Sequence, residues 1–125
     1  MVKLYEMMAD SRTTDERLRN WLDSQMQRER LCAHLLPLLG QYSKVEPRRP
    51  KGGPDQGRDL QAIYLDELPV WAAVGFRNSA RDDNADKRWV RKKFKDDLER
   101  ALKERADLKG FVFLTNVDLT PRENE

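Results

Sequence analysis

The chain has 125 residues, enough for one domain with a modest core. Charged residues make up 37% and apolar ones 38%. No apolar run approaches the roughly 20 residues that a membrane span needs, and the amino terminus lacks the basic-then-apolar order of a secretory signal, so a cytoplasmic domain without membrane contact is expected. Net charge is only +2, which excludes a general polycation. One cysteine, Cys32, excludes an internal disulfide. One histidine, His34, excludes a metal centre built on Cys and His, which leaves hard ions held by oxygen.

Residues 1–12 read as an N-terminal arm without a clear period. Thr13 and Glu16 stand at capping-box spacing and predict a helix that runs to about Leu36 or Leu39. Its apolar stripe is Leu18, Trp21, Leu22, Met26, Cys32, Ala33 and Leu36, in steps of three and four. Pro37 kinks or ends it, and Gly40 closes it. Glu29 falls near the centre of that stripe, where an unpartnered carboxylate is costly. Either a basic group or a metal answers it, or the helix end is open enough for Glu29 to reach water. Cys32 reads as core, and His34 lies on the polar face.

Tyr42 to Glu46 is a weak first strand. Gly52 to Asp59 then reads Gly-Gly-Pro-Asp-Gln-Gly-Arg-Asp, a segment of tight turns, and the apolar strand Leu60 to Leu65 follows at once. That order places Asp59 at the mouth of a strand, on a rigid base. Asp66 to Pro69 is a turn, and Val70 to Phe76 is continuous enough to be buried on both faces. Asp82, Asp83 and Asn84 offer N-caps for a second helix to about Leu108, with Val90, Phe94, Leu98, Ala101, Leu102 and Leu108 inward and Gly110 as its stop. Phe111 to Leu114 is the last strand, Thr115-Asn116 begins a polar exit, and residues 121–125 are a polar tail. The predicted class is α/β, a mixed central sheet flanked by helices in the order α-β-β-β-α-β, over residues 13–120.

Basic residues are gathered rather than spread. Lys87, Arg88, Arg91, Lys92, Lys93 and Lys95 crowd the second helix, and Lys44, Arg48, Arg49, Lys51 and Arg58 flank the glycine segment. Such runs are either solvated faces or phosphate contacts. Trp89, inside the first cluster, packs on the helix or stacks on a base.

Glu29 on the first helix, the segment Gly52 to Asp59 before a strand, Val-Gly-Phe-Arg at 74–77 and Phe-Val-Phe-Leu-Thr-Asn at 111–116 together resemble the restriction-endonuclease-like PD-(D/E)xK superfamily. The nearest flavour is the Mrr-like nuclease domain, often found at the amino end of larger bacterial defence or NTPase proteins. The resemblance covers Thr13 to Thr120. It implies a magnesium-dependent deoxyribonuclease, with Asp59 as the metal-binding aspartate, Asp55 as its alternative, and Glu29 as a further ligand. It also implies a Glu or Gln, one intervening residue and a Lys in the third strand, both on one face.

The chain departs from that pattern in the third strand. Gly75 stands where the Glu or Gln belongs and Arg77 where the Lys belongs. Glycine offers no side-chain ligand, so the Phe76 carbonyl is the remaining donor there. Arginine keeps the charge but cannot act as a base near neutral pH, and Lys87 or Lys51 would have to lend the ammonium. The expectation is therefore a nuclease-family domain acting on DNA, its hydrolysis weakened or lost, with catalytic Asp59, Arg77 and Glu29 and magnesium on Asp59 and Phe76 if active. Lys51, Arg58, Lys87, Arg88, Arg91 and Lys92 are the expected DNA contacts. The alternative is an inactive nucleic-acid-binding or assembly module, as a homodimer or with further domains of a larger protein.

Overall fold

A computed structural model describes residues 13–47 and 59–120. The glycine-rich segment up to Arg58, with Lys51 and Asp55, lies outside the described residues, as do the N-terminal arm and the tail.

The first helix is two helices. α1 (Thr14–Arg19) starts from the expected capping box: the Thr13 hydroxyl accepts the Glu16 N–H at 3.2 Å, and the Glu16 carboxylate accepts the Thr13 N–H at 3.2 Å. Asn20 ends it by donating from Nδ2 to the Glu16 carbonyl. Ser24 then starts α2 (Gln25–Leu35), its hydroxyl accepting from the Gln27 N–H. Short polar side chains that bond nearby backbone compete with the helix ladder, and Asn20, Asp23 and Ser24 do so in succession. The break changes the phase of the stripe. Leu22 and Met26, expected inside, are 68% and 56% exposed, while Arg28 is buried beside Cys32 and Leu36. A 3-10 turn, Leu36–Leu39, closes on Gly40 at φ 83°, where a side chain would be strained.

Four strands form one sheet in the order β1-β2-β3-β4: β1 (Tyr42–Pro47), β2 (Leu60–Tyr64), β3 (Leu68–Val74) and β4 (Phe111–Leu114). β1, β2 and β3 pair antiparallel, with a bulge between Ser43 and Glu46 in β1. β4 pairs parallel to β3, and α3 (Asn84–Glu104) makes the crossover. The fold is thus mixed α/β, as the element order predicted. The β2–β3 turn sits earlier than expected, with Leu65 and Asp66 at φ 52° and 58°, so β3 opens at Leu68 and takes in Pro69, which pairs with Ile63. α3 ends at Glu104, short of Leu108, and Gly110 instead leads into β4, its carbonyl accepting from the Trp71 N–H.

β3 is buried on both faces from Val70 onward. Ala72, Val74 and Phe76 pack with Cys32 of α2 and Leu60 of β2, and Leu36, Ala62 and Val70 continue that layer. The opposite face is covered by α3: Val90 packs with Ala80 and Val117, and Phe94 meets Phe111 and Phe113 at 5.8 and 5.9 Å between ring centres. Among the described residues, no helix is long and apolar enough to cross a membrane.

Candidate functional site

Asp59 stands where the sequence placed it, at the mouth of β2, and its backbone N–H donates to the Ala72 carbonyl at 2.7 Å. Its carboxylate is buried and accepts the Val74 N–H at 2.7 Å. Asp59 therefore ties β2 to the end of β3, work that an unbonded strand terminus would otherwise leave to water. Glu29 is half-buried on α2. The Cys32 thiol is pushed up to about 12, first by burial and then by the charges of Asp59 and Glu29.

The third strand is built differently from what its pattern suggested. A Cβ on Gly75 would lie 2.6 Å from Cζ of Phe113 and 3.4 Å from Cδ and Cε of Lys93. Gly75 is a point of close approach between β3, β4 and α3, with no room for a carboxylate. The Phe76 carbonyl lies 3.5 Å from Nη1 of Arg28, a cation where a metal was expected. Magnesium demands oxygen donors in near-octahedral array. One donor here already holds a backbone N–H, another faces a guanidinium, and Gly75 has no room for a third, so these residues fit the ion poorly. Among the described residues, no group of three or more His, Cys, Asp or Glu side chains is arranged to hold a metal.

Arg77 turns towards α3. Its Nε donates to Asp86 Oδ1 at 3.0 Å, and its guanidinium lies 5.1 Å from the ring centre of Trp89. That stacking occupies one face of the Trp89 ring, in line with the packing alternative rather than the stacked base. Asp86 is buried, and its other oxygen accepts from the N–H groups of Arg81 and Asp82 at 2.7 and 3.1 Å. Burial pulls the Asp86 carboxyl upward, yet these bonds and the Arg77 charge hold it below the usual range. Asn116 fixes the backbone beside it: Oδ1 accepts the Arg77 N–H at 2.8 Å, while Nδ2 donates to the carbonyls of Arg77 and Leu18 at 2.9 Å each.

The basic residues divide by face. Arg88, Arg91, Lys92 and Lys95 are exposed on α3. Lys87 is 3% exposed: its position on the helix turns it inward, away from the exposed row. Lys93 bonds Asp97 at 2.9 Å, and Asp97 also holds Arg100. Lys51 and Arg58 lie outside the described residues.

Several partners of this site were missed. Asp86 and Arg28 were not singled out in the sequence, and Lys93 read as one more member of a basic run. Asn116 carried the clearest signal, a polar side chain directly after an apolar strand. A cleft of ≈ 310 Å³ lies over the β1–β3 face, lined by Lys44, Gln61, Trp71 and Arg105 among others, and among the described residues none of the predicted site residues lines it.

Comparison with protein-family models, with curated proteins and with solved structures gives no match in any of the three.

Proposed function

We propose that this chain is a DNA-binding module on a restriction-endonuclease-like ground plan, in which phosphodiester hydrolysis has been lost. The α-β-β-β-α-β order and the place of Asp59 support the ground plan. The observation that carries the binding reading is the outer face of α3. Arg88, Arg91, Lys92 and Lys95 follow i, i+3, i+4, i+7 spacing, and all four are exposed. Among the described residues, only Lys92 of the four forms an ion pair, with Asp96. Such a row spans about 10 Å at 1.5 Å per residue, comparable to three phosphates along one strand at about 3.4 Å of rise each.

Fluorescence anisotropy with a labelled duplex tests the reading. Three or four phosphate contacts predict a slope of log K against log salt of about −3. Arg88→Gln with Arg91→Gln flattens that slope by about 2. Absence of binding at low salt, or binding indifferent to salt, defeats the reading.

Metal-dependent hydrolysis is the competing reading, and the buried carboxylate of Asp59 at the mouth of β2 is the observation in its favour. Plasmid and linear DNA with magnesium or manganese decide it, beside Asp59→Asn. Cleavage that disappears in that variant establishes an enzyme, and intact DNA despite measurable binding establishes the module.

A further inference from the structure

One arginine stands outside the α3 row and is held more firmly than any member of it. Arg77 loses its freedom at three points: the backbone is fixed by Asn116, Nε is fixed by the buried Asp86, and the guanidinium plane rests on Trp89. Asp86 is itself immobilised by the backbone of Arg81 and Asp82. Among the described residues, Nη1 and Nη2 of Arg77 make no hydrogen bond, and the side chain is 37% exposed. A fixed planar fork with two adjacent free donors matches two oxygens of a phosphate. Freezing it before binding removes most of the side-chain entropy that a free arginine would lose.

We propose that Arg77 is a preformed phosphate clamp that grips a DNA phosphodiester at the corner between β3 and α3, beside the exposed row. The choice of a DNA phosphate rests on the reading above, because a phosphomonoester offers the same oxygens. The Asp86 carboxylate offsets much of the Arg77 charge at long range. The clamp therefore contributes geometry rather than attraction, and its signature differs from that of the row. A lysine keeps the charge but loses the fork and the stacking.

The experiment combines duplex anisotropy on Arg77→Lys and Trp89→Phe with NMR of the unaltered protein, following the Arg77 Nε–H and Trp89 indole N–H signals. The expected result is an affinity loss of about tenfold for Arg77→Lys with an unchanged salt slope, and movement of both signals on adding the duplex. If the duplex binds while Arg77→Lys stays within twofold and neither signal moves, the clamp is wrong and the α3 row stands. If the duplex fails to bind but inorganic phosphate moves the Arg77 signal, the DNA reading falls and the clamp stands as a phosphomonoester site. If neither probe moves the signals, the clamp falls. Should Arg77→Lys fail to fold, Trp89→Phe and the NMR arms give the same decision, since loss of the stacked face lowers duplex affinity without removing charge.

Discussion

Gly75→Ala distinguishes a packing position from a vacated ligand position. The added Cβ would meet Cζ of Phe113 at 2.6 Å and the Lys93 stem at 3.4 Å. Carbon contacts are comfortable at about 3.5–4.0 Å, so the ring must retreat by about 1 Å. Phe94 resists this from one side, its ring 5.9 Å from that of Phe113, and the Ala80, Val90 and Val117 group resists from another. Overpacking of this kind costs about 1–3 kcal/mol, and removing a glycine from the unfolded chain offsets about 0.4–1 kcal/mol. The net expectation is a loss of about 1–2 kcal/mol, or a Tm lower by about 4–8 °C for a domain of this length. Phe113→Leu shortens the obstructing side chain, so urea unfolding of both single variants and the double variant should show a coupling of about 1 kcal/mol or more. A Gly75→Ala protein as stable as its parent, or a coupling below about 0.5 kcal/mol, refutes the close approach. On the same reasoning, Gly75→Glu unfolds the domain instead of acquiring a metal.

Three further outcomes follow from the buried groups. Asp59→Ala leaves the Val74 N–H without its acceptor and should destabilise by about 1–3 kcal/mol; Asp59→Asn keeps an oxygen there and should lose less than half as much, so equal urea midpoints for the two variants contradict the tie. Asp86 has a folded pKa below its ordinary value, so its contribution is complete above about pH 4 and is lost as pH falls through the folded value. Asp86→Asn should therefore unfold with a flatter acid limb than the parent, and parallel limbs sink the assignment. Cys32 is raised to about 12 from an unfolded value of about 8.5, so its contribution is intact at neutral pH and declines as pH rises from there towards 12. At pH 8 a thiol reagent should label the chain only as fast as it unfolds, and immediate labelling contradicts the burial.

Local signals in the sequence were reliable where one side chain decides one bond. Thr13 and Glu16 form the capping box they advertise, Asp83 caps α3, and the apolar runs at 60–64 and 111–114 become β2 and β4. The interruption at 20–24 was hidden because Leu18, Trp21 and Leu22 preserve helical spacing across it, although Asn20, Asp23 and Ser24 carry the breaking chemistry. A one-residue error in phase then exchanged Glu29 for the buried Arg28. Gly75 was ambiguous in principle. A missing side chain looks the same whether a ligand has been lost or a neighbour has moved in, and the neighbour, Phe113, comes from a strand beyond a whole helix. Asp59 was placed correctly, but its hydrogen bond to Val74 depends on the register between β2 and β3, which composition does not encode.

The small net charge conceals a separation that only the folded helix reveals. On its inner side α3 carries Asp86, Lys87 and Asp97, all buried, with Asp86 paired to Arg77 and Asp97 shared by Lys93 and Arg100. On its outer side stand Arg88, Arg91, Lys92 and Lys95, of which three are without ion pairs among the described residues. Inner charges are shielded from solvent and hold β3, α3 and the loop between them in place. Outer charges lie in water, where screening acts within about 8 Å at physiological ionic strength. Salt should therefore weaken the proposed DNA binding through the outer row long before it disturbs the inner pairs. Arg77 belongs to both sets, anchored inward through Nε and open outward through Nη1 and Nη2, and under the proposed clamp it is the residue at which the packing network meets the phosphate.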